Sequence, residues 1–251
     1  MPNTISIHSF RHGVGRSNII ANLSYLLAAE GYKVAVLDAD KIAPSLHHLL
    51  RLAESDLTYS LTDYLDKKAD IQQIAYDVTA NMQIASPGKL YYVRANTTRE
   101  QSAQQTYGVL YAEWLHNGCR QLLEKLHLDA VLIDTEAGLE QDTLIPLTVS
   151  DVVVIILRHD QRDYQGTSVA VDIVRRLNVP RVLLLVNEAP KSFNVDEITA
   201  QLEKIFSHKV GAVLPYVEEI MALANKEVFA LHYPHHFATH LLKQVALQLV
   251  E

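Results

Sequence analysis

A glycine-containing loop near the N-terminus has the residue types of a phosphate-binding site. The loop spans Ser9–Asn18, follows the apolar run Ile5–His8 and precedes isoleucines and leucines at helical spacing. A strand, a glycine turn and a helix in this order point backbone N–H groups at an anion, and the positive end of the helix dipole stabilises it. The Ser17 hydroxyl stands where it could reach a magnesium ion. The predicted cofactor contacts in this loop are Gly13, Val14, Gly15, Arg16, Ser17 and Asn18.

Two residues of this loop depart from the general phosphate-binding pattern G-x-x-x-x-G-K-[ST]. Phe10 stands at the first glycine and Arg16 at the lysine, whereas Gly15 and Ser17 match the pattern. A guanidinium group is larger than an ammonium group and does not cover the β- and γ-phosphates in the same geometry. We therefore expect weakened nucleotide affinity or much reduced hydrolysis. The simplest alternative is a glycine turn that leads into a helix without binding a ligand.

Carboxylates end two further apolar runs. Asp38 and Asp40 follow Val34–Leu37, and Asp134 follows Val131–Ile133. Ligands of open α/β sheets bind beyond the carboxyl ends of the strands. Asp38 or Asp40 could therefore orient an attacking water, and Asp134 could hold magnesium through a water. A solvated strand end followed by a helix cap is the alternative for each of these residues.

Short apolar runs alternate along the chain with longer amphipathic stretches. Several runs are continuously apolar, which is typical of strands buried on both faces of a parallel sheet. The predicted strands are Thr4–Phe10, Lys33–Asp38, Met82–Ala85, Ala130–Asp134, Val152–Leu157, Arg181–Asn187 and Val210–Leu214. The predicted helices are Gly15–Glu30, Ala43–Leu52, Gln101–Leu126, Gln161–Leu177, Val195–Phe206, Val217–Asn225 and Phe237–Val250. The alternation predicts an α/β fold with a doubly wound, mostly parallel sheet covered by helices on both faces.

The composition favours one globular domain. Apolar residues make up 49% of the 251 residues and no linker-like segment divides the chain, so we expect a single nucleotide-binding domain over 1–251 with an irregular insertion at about 55–99. The formal net charge of −7 argues against DNA binding by the whole surface, although a local basic patch could exist. The single cysteine, Cys119, excludes an intrachain disulfide. Neither a signal sequence nor a membrane span is visible, which predicts a cytoplasmic protein.

The order and spacing of these features resemble those of the MinD/ParA family of deviant Walker ATPases over essentially the whole chain. The family loop K-G-G-x-G-K-[ST] corresponds to Arg11–Ser17, and the first switch corresponds to Asp38–Ser45. The second switch, D-x-P-A-G, is similar to Asp134–Gly138. The family asparagine that reads adenine corresponds to Asn187, and the proline loop that brackets the base corresponds to Pro215.

This resemblance implies a nucleotide-dependent homodimer around ATP or ADP and Mg²⁺, acting on an unknown protein adaptor or cargo. Arg11 replaces the lysine that reaches across the dimer to the partner's phosphates, and its bidentate head retains that possibility. The implied magnesium contacts are Ser17 and Asp134. The implied catalytic residues are Asp38, Asp40 and Arg11.

Four residues depart from the family pattern, namely Arg11, His12, Arg16 and Glu136. The ring of His12 replaces a glycine and is expected to crowd a tight loop. Glu136 replaces a proline and brings a negative charge near the γ-phosphate. We predict a slow ATPase whose nucleotide-dependent dimerisation positions or regulates a partner. The alternative is a pseudo-ATPase, an interaction module that keeps the fold and the dimer face without turnover.

Two features of the C-terminal segment have simple structural interpretations. His236 and His240 are spaced like a helical metal pair, but we favour solvated surface histidines. The helix Phe237–Val250 lacks the basic face of a membrane-binding helix. We therefore expect it to pack on the sheet as the last helix of the domain.

Overall fold

A computed structural model describes residues 3–40, 44–94 and 108–251, and these residues form an eight-stranded sheet. The strands are β1 (Asn3–His8), β2 (Lys33–Asp38), β3 (Ala75–Asp77), β4 (Lys89–Val93), β5 (Ala130–Asp134), β6 (Val152–Leu157), β7 (Arg181–Ala189) and β8 (Lys209–Pro215). Their order across the sheet is β3-β4-β2-β5-β1-β6-β7-β8. Each neighbouring pair is parallel except β3 and β4, which confirms the predicted mostly parallel sheet.

Helices cover both faces of this sheet, as predicted for a doubly wound fold. They are α1 (Arg16–Ala29), α2 (Leu46–Leu49), α3 (Leu61–Leu65), α4 (Gly108–Lys125), α5 (Gln141–Thr148), α6 (Gln161–Arg176), α7 (Val195–Phe206), α8 (Glu218–Ala222), α9 (Phe229–His232) and α10 (Phe237–Val250). Helices α1, α2 and α10 share a hydrophobic core with one face, whereas α4, α6 and α7 pack on the other. Successive residues of β6, such as Val154 and Ile155, enter opposite cores. The run is continuously apolar because both of its faces are buried.

The carboxyl ends of the parallel strands lie at one edge of the sheet. Strand β1 lies between β5 and β6, and the helices that follow β1 and β6 pack on opposite faces. Because these two helices leave the sheet on opposite faces, a crevice opens between them at the carboxyl edge, where doubly wound sheets bind their ligands. The glycine loop after β1 begins at this crevice.

The prediction of a strand at Met82–Ala85 is wrong. Met82 is fully buried, but this segment is a turn in which the N–H groups of Met82, Gln83 and Ile84 bond to carbonyls three to five residues earlier. The strand that pairs with β2 is instead β4, whose Leu90 and Tyr92 are fully buried. The range expected to be irregular, 55–99, therefore supplies two strands of the sheet.

Several helices also differ from the expectation, among them α8, which covers only Glu218–Ala222 of the predicted Val217–Asn225. Helix α2 covers only Leu46–Leu49 of the predicted Ala43–Leu52, and residues 41–43 lie outside the described part of the chain. The helix predicted at Gln101–Leu126 corresponds to α4, and residues 101–107 again lie outside it. Helix α5 was not predicted, and it contains Pro146, a residue that normally interrupts a helix.

Candidate functional site

A cavity of about 460 Å³ lies at the carboxyl edge of the sheet. The loop residues 12–18 line it from one side, and Asn187 of β7 and Pro215 of β8 line it from another. Asp40, from the segment that follows β2, also contributes to the lining. These predicted residues come from distant parts of the sequence, and together they form a cavity with the volume of a small-molecule site.

The loop backbone adopts conformations that favour glycine. Gly13 and Gly15 have φ angles of 77° and 88°, and Gly15 directly precedes α1. A Cβ atom on Gly15 would lie 2.5 Å from Nδ2 of Asn187. That amide donates a 2.8 Å hydrogen bond to the carbonyl oxygen of Val14. A glycine at position 15 therefore allows Asn187 to contact the loop directly.

The side chain of Arg16 lies among carboxylates. Its Nε donates to Oδ1 of Asp134 at 2.6 Å, its Nη2 to Oδ2 of Asp40 at 2.8 Å and its Nη1 to Oγ of Ser9 at 3.2 Å. The side chains of Arg16, Asp40 and Asp134 are 7%, 5% and 1% exposed. The Ser17 hydroxyl donates to the second oxygen of Asp134 at 2.8 Å. The predicted phosphate-binding cation is thus held by two buried carboxylates.

Asp38 is fully buried and is not among the described residues that line the cavity. Burial, reinforced by the neighbouring carboxylates of Asp134 and Asp40, raises the pKa of Asp38 well above its ordinary value. Its Oδ2 accepts a 3.3 Å hydrogen bond from the hydroxyl of Tyr92. A carboxyl that is fully buried and does not line the cavity is poorly placed to contact a water there. Of the two carboxylates predicted for that role, only Asp40 reaches it.

The groups expected to hold magnesium do not fit that ion in this arrangement. Mg²⁺ prefers oxygen ligands in near-octahedral geometry, and the Ser17 hydroxyl and Asp134 carboxylate are suitable by type. However, Arg16 binds one oxygen of Asp134 and the Ser17 hydroxyl donates to the other. In this arrangement the guanidinium of Arg16 lies where a metal ion would contact Asp134.

Arg11 is bound within its own chain. Its Nη2 lies 2.5 Å from Oδ2 of Asp160, and its Nε lies 2.6 Å from Oδ1 of Asp163. Asp160 also caps α6 by accepting a 2.9 Å hydrogen bond from the Asp163 N–H. These contacts join the loop after β1 to the helix after β6. Arg11 would have to leave both carboxylates to reach a partner subunit.

Arg158 is a cavity residue that sequence reasoning missed. Its Nη2 lies 2.5 Å from the carbonyl oxygen of Gly13 and 2.6 Å from Oε2 of Glu188. Glu188 follows Asn187 with a φ of 55°, a conformation that is uncommon for residues other than glycine. The place of Arg158 in the sequence could have identified it, because a basic residue that directly follows the apolar run of β6 must lie at the carboxyl edge. Arg158 joins β6, the loop and β7.

Phe10 and His12 stand where the phosphate-binding and family patterns have glycine, and the local structure explains why both are tolerated. Phe10 packs on Gly166 of α6, where a Cβ atom would lie 2.0 Å from the Phe10 ring. His12 is exposed and is not among the described residues with positive φ, so the expectation that it crowds the loop is wrong. The loop tolerates Phe10 and His12 because glycine is required only at positions with positive φ or close contacts.

His8, at the end of β1, is a second residue that sequence reasoning missed. It is fully buried, and its Nδ1 lies 2.9 Å from Oγ1 of Thr135. The Thr135 hydroxyl oxygen also lies 3.0 Å from the carbonyl oxygen of Ile7, so His8, Thr135 and the β1 backbone form one hydrogen-bonded group. Burial, reinforced by the charge of Arg16, lowers the pKa of His8 to about 3. His8 is therefore neutral at physiological pH.

The C-terminal segment has the structural role expected for it. Helix α10 packs on α1 through residues that include Leu242, Val245 and Leu249. The Nδ1 atom of His236 accepts a 3.1 Å hydrogen bond from the Ala238 N–H at the start of this helix.

The described residues contain no group of three or more potential metal-ligating side chains in suitable positions. Each helix among the described residues is too short or too polar to cross a membrane.

Comparisons with known proteins agree with this architecture. A family model described as an AAA domain matches residues 2–181. The chain is 27% identical over 251 residues to an uncharacterised ATP-binding protein of Methanocaldococcus jannaschii, covering 100% of this chain and 88% of that protein.

Solved structures show the same fold. The MinD cell division protein of Aquifex aeolicus superimposes with a TM-score of 0.79 at 18% identity, covering 98% of this chain and 96% of that one. The septum site-determining protein MinD of Pyrococcus horikoshii, complexed with Mg-ADP, gives 0.77 at 18% identity, covering 99% and 96%. The chain therefore belongs to this AAA-domain family and is a MinD/ParA-like P-loop protein.

Proposed function

We propose that this protein binds ATP or ADP in the cavity at the carboxyl edge and that the nucleotide controls a homodimer. The observation that carries this proposal is the meeting of the glycine loop, Asn187 and Pro215 around one cavity. The loop precedes α1, so its N–H groups and the helix dipole favour an anion there. The phosphates are expected at this end of the cavity.

The remaining lining suits a planar base. Leu214, Val217, Ile220 and Met221 surround Pro215 with apolar surface, and the amide of Asn187 adds hydrogen-bonding atoms. Small-molecule sites combine these features, since apolar contact provides affinity and a few polar groups fix orientation. The Methanocaldococcus relative is described as ATP-binding and the Pyrococcus MinD structure contains Mg-ADP. Both support an adenine nucleotide here.

Turnover is expected to be slow. Asp40 is the predicted water-positioning carboxylate that lines the cavity, and the guanidinium of Arg16 binds it at 2.8 Å. An unidentified adaptor or cargo would then respond to the bound nucleotide. Arg16 binds one oxygen of Asp134, a residue expected to hold magnesium, so a magnesium ion there would have to compete with the guanidinium.

Nucleotide binding is tested by isothermal titration calorimetry with ATP, ADP and GTP. We expect ATP and ADP to bind and Asn187→Ala to weaken their binding about tenfold, as for the loss of one buried hydrogen bond. Asn81→Ala is the control, because the exposed Asn81 amide donates to the carbonyl of Arg51 away from the cavity. Absence of binding by all three nucleotides would contradict the proposal.

Dimerisation is tested by light scattering with and without ATP. We expect the mass to double with ATP and to remain that of a monomer in Arg11→Ala, because the resemblance places this cation against the partner's phosphates. Arg162→Ala is the matched control, since Arg162 is an exposed cation on the same first turn of α6 that binds Arg11. An equal mass with and without ATP would exclude a nucleotide-controlled dimer.

A further inference from the structure

Arg16 and two carboxylates form a compact buried cluster at the strand ends. One guanidinium meets three separate oxygen atoms, on Asp134, Asp40 and Ser9, through its three nitrogen atoms. The two carboxylates come from the ends of adjacent strands β2 and β5, whose residues Asp38 and Asp134 are in register. The pairing of the strands therefore brings negative charges together at this edge, and Arg16 is the cation placed between them.

The shape and charge of arginine suit this position. A guanidinium carries its charge at any pH that a folded protein experiences, and its planar fork presents donors in several fixed directions. A lysine ammonium is a single point charge on a flexible stem. Lysine at position 16 could bind one of these oxygens closely, but it could not reproduce the bonds to Asp134, Asp40 and Ser9 together. The cluster is specific to arginine.

We propose that Arg16 is the permanent counter-ion of Asp40 and Asp134, so that this protein binds its nucleotide without a divalent cation. This inference rests on the proposed nucleotide site. A divalent ion between nucleotide and protein would need the oxygens of Asp134, and Arg16 and Ser17 bind them already. The ion would have to displace a fixed charge that the chain itself supplies.

The cavity retains other groups that attract phosphates. The N–H groups of the loop lie at the start of α1, where the helix dipole is positive. His12 and Arg158 also line the cavity. The loop N–H groups would bind phosphate oxygens directly, so nucleotide binding does not require that Arg16 leave its carboxylates.

The test is calorimetry with ADP in excess magnesium chloride and, separately, in excess EDTA. We expect the dissociation constant of the natural protein to change by less than about twofold between the two buffers. Arg16→Lys should remove part of the Arg16 bonding at Asp134 and leave the oxygen that Arg16 binds open to a metal ion. For this variant we expect binding to become at least about tenfold weaker in EDTA than in magnesium. Arg162→Ala is the control and should behave as the natural protein does.

Each outcome separates this inference from the proposed function. Binding by the natural protein that is lost in EDTA would overturn the inference and leave the nucleotide site intact. Absence of binding in both buffers would remove the nucleotide site and the inference with it. Circular dichroism checks the fold of Arg16→Lys. If this variant does not fold, the two titrations of the natural protein decide the question alone.

Discussion

Arg16→Ala is expected to lower the free energy of unfolding by about 3–5 kcal/mol, the cost of removing one partner from a buried ion pair. Asp40 and Asp134 would then face each other at 5% and 1% exposure without the guanidinium that lies between them. Neither carboxylate could recover full hydration in that position. The loss is larger than that from an ordinary surface substitution because two buried charges lose the same counter-ion.

Chemical denaturation of the natural protein and the variant measures this effect. Arg175→Ala is the matched control, since Arg175 also forms an ion pair, with Asp172 at 3.2 Å, but both side chains are more than half exposed. Its loss should cost about 0.5 kcal/mol or less. The loss of stability in Arg16→Ala should also shrink at acid pH, where protonation removes the charge of Asp134, whose pKa is raised by burial. A loss as small as that of the control would show that Arg16 does not stabilise this site.

The pH dependence of stability is expected to carry the signature of His8. Its pKa is lowered to about 3 in the folded protein from 6.5, chiefly by burial. In the unfolded chain His8 takes up a proton below the ordinary pKa, whereas in the folded chain it stays neutral. Its contribution to stability is thus complete above the ordinary pKa and is lost as the pH falls towards the folded value. Between about pH 7 and pH 5 this loss amounts to about 2 kcal/mol.

Asp38 affects the pH dependence of stability with the opposite sign, so its contribution must be distinguished from that of His8. Its folded pKa is raised, chiefly by burial, so its protonated form is favoured by folding and its contribution is lost as the pH rises. The measured pH dependence of the free energy of unfolding therefore contains contributions from both groups. The informative quantity is the difference in slope between the natural protein and a variant that lacks only the histidine.

His8→Asn is that variant, because the asparagine amide can either donate to or accept from the Thr135 hydroxyl in place of the histidine Nδ1. The variant should be less sensitive to acid than the natural protein by about 2 kcal/mol over the same pH interval. His235→Asn is the control, since His235 is exposed, and it should leave the slope unchanged. Equal slopes for the natural protein and His8→Asn would contradict a neutral, buried His8.

Local sequence patterns were sufficient to predict most of the sheet. The run Val152–Leu157 forms β6 with the predicted bounds, because six consecutive apolar residues can be buried only where both faces of a strand are covered. The bounds of α7 and α10 were also predicted, since apolar residues recur there at helical spacing. The failure at Met82–Ala85 has a clear cause. The apolar side chains require only that Met82 be buried and Ile84 partly covered, and a turn satisfies that requirement as well as a strand does.

The sequence alone also located the candidate site, because carboxyl ends of parallel strands must lie at one edge and the residues that follow them must meet there. The tertiary structure decided how these residues are paired. Arg16 is separated by 118 residues from Asp134 and Arg11 by 149 residues from Asp160, yet each pair is in contact. Spacing along the chain shows which side chains reach the edge. Only the packed arrangement fixes which charges become neighbours, and burial then determines whether a cation such as Arg16 binds a ligand or balances the carboxylates of its own chain.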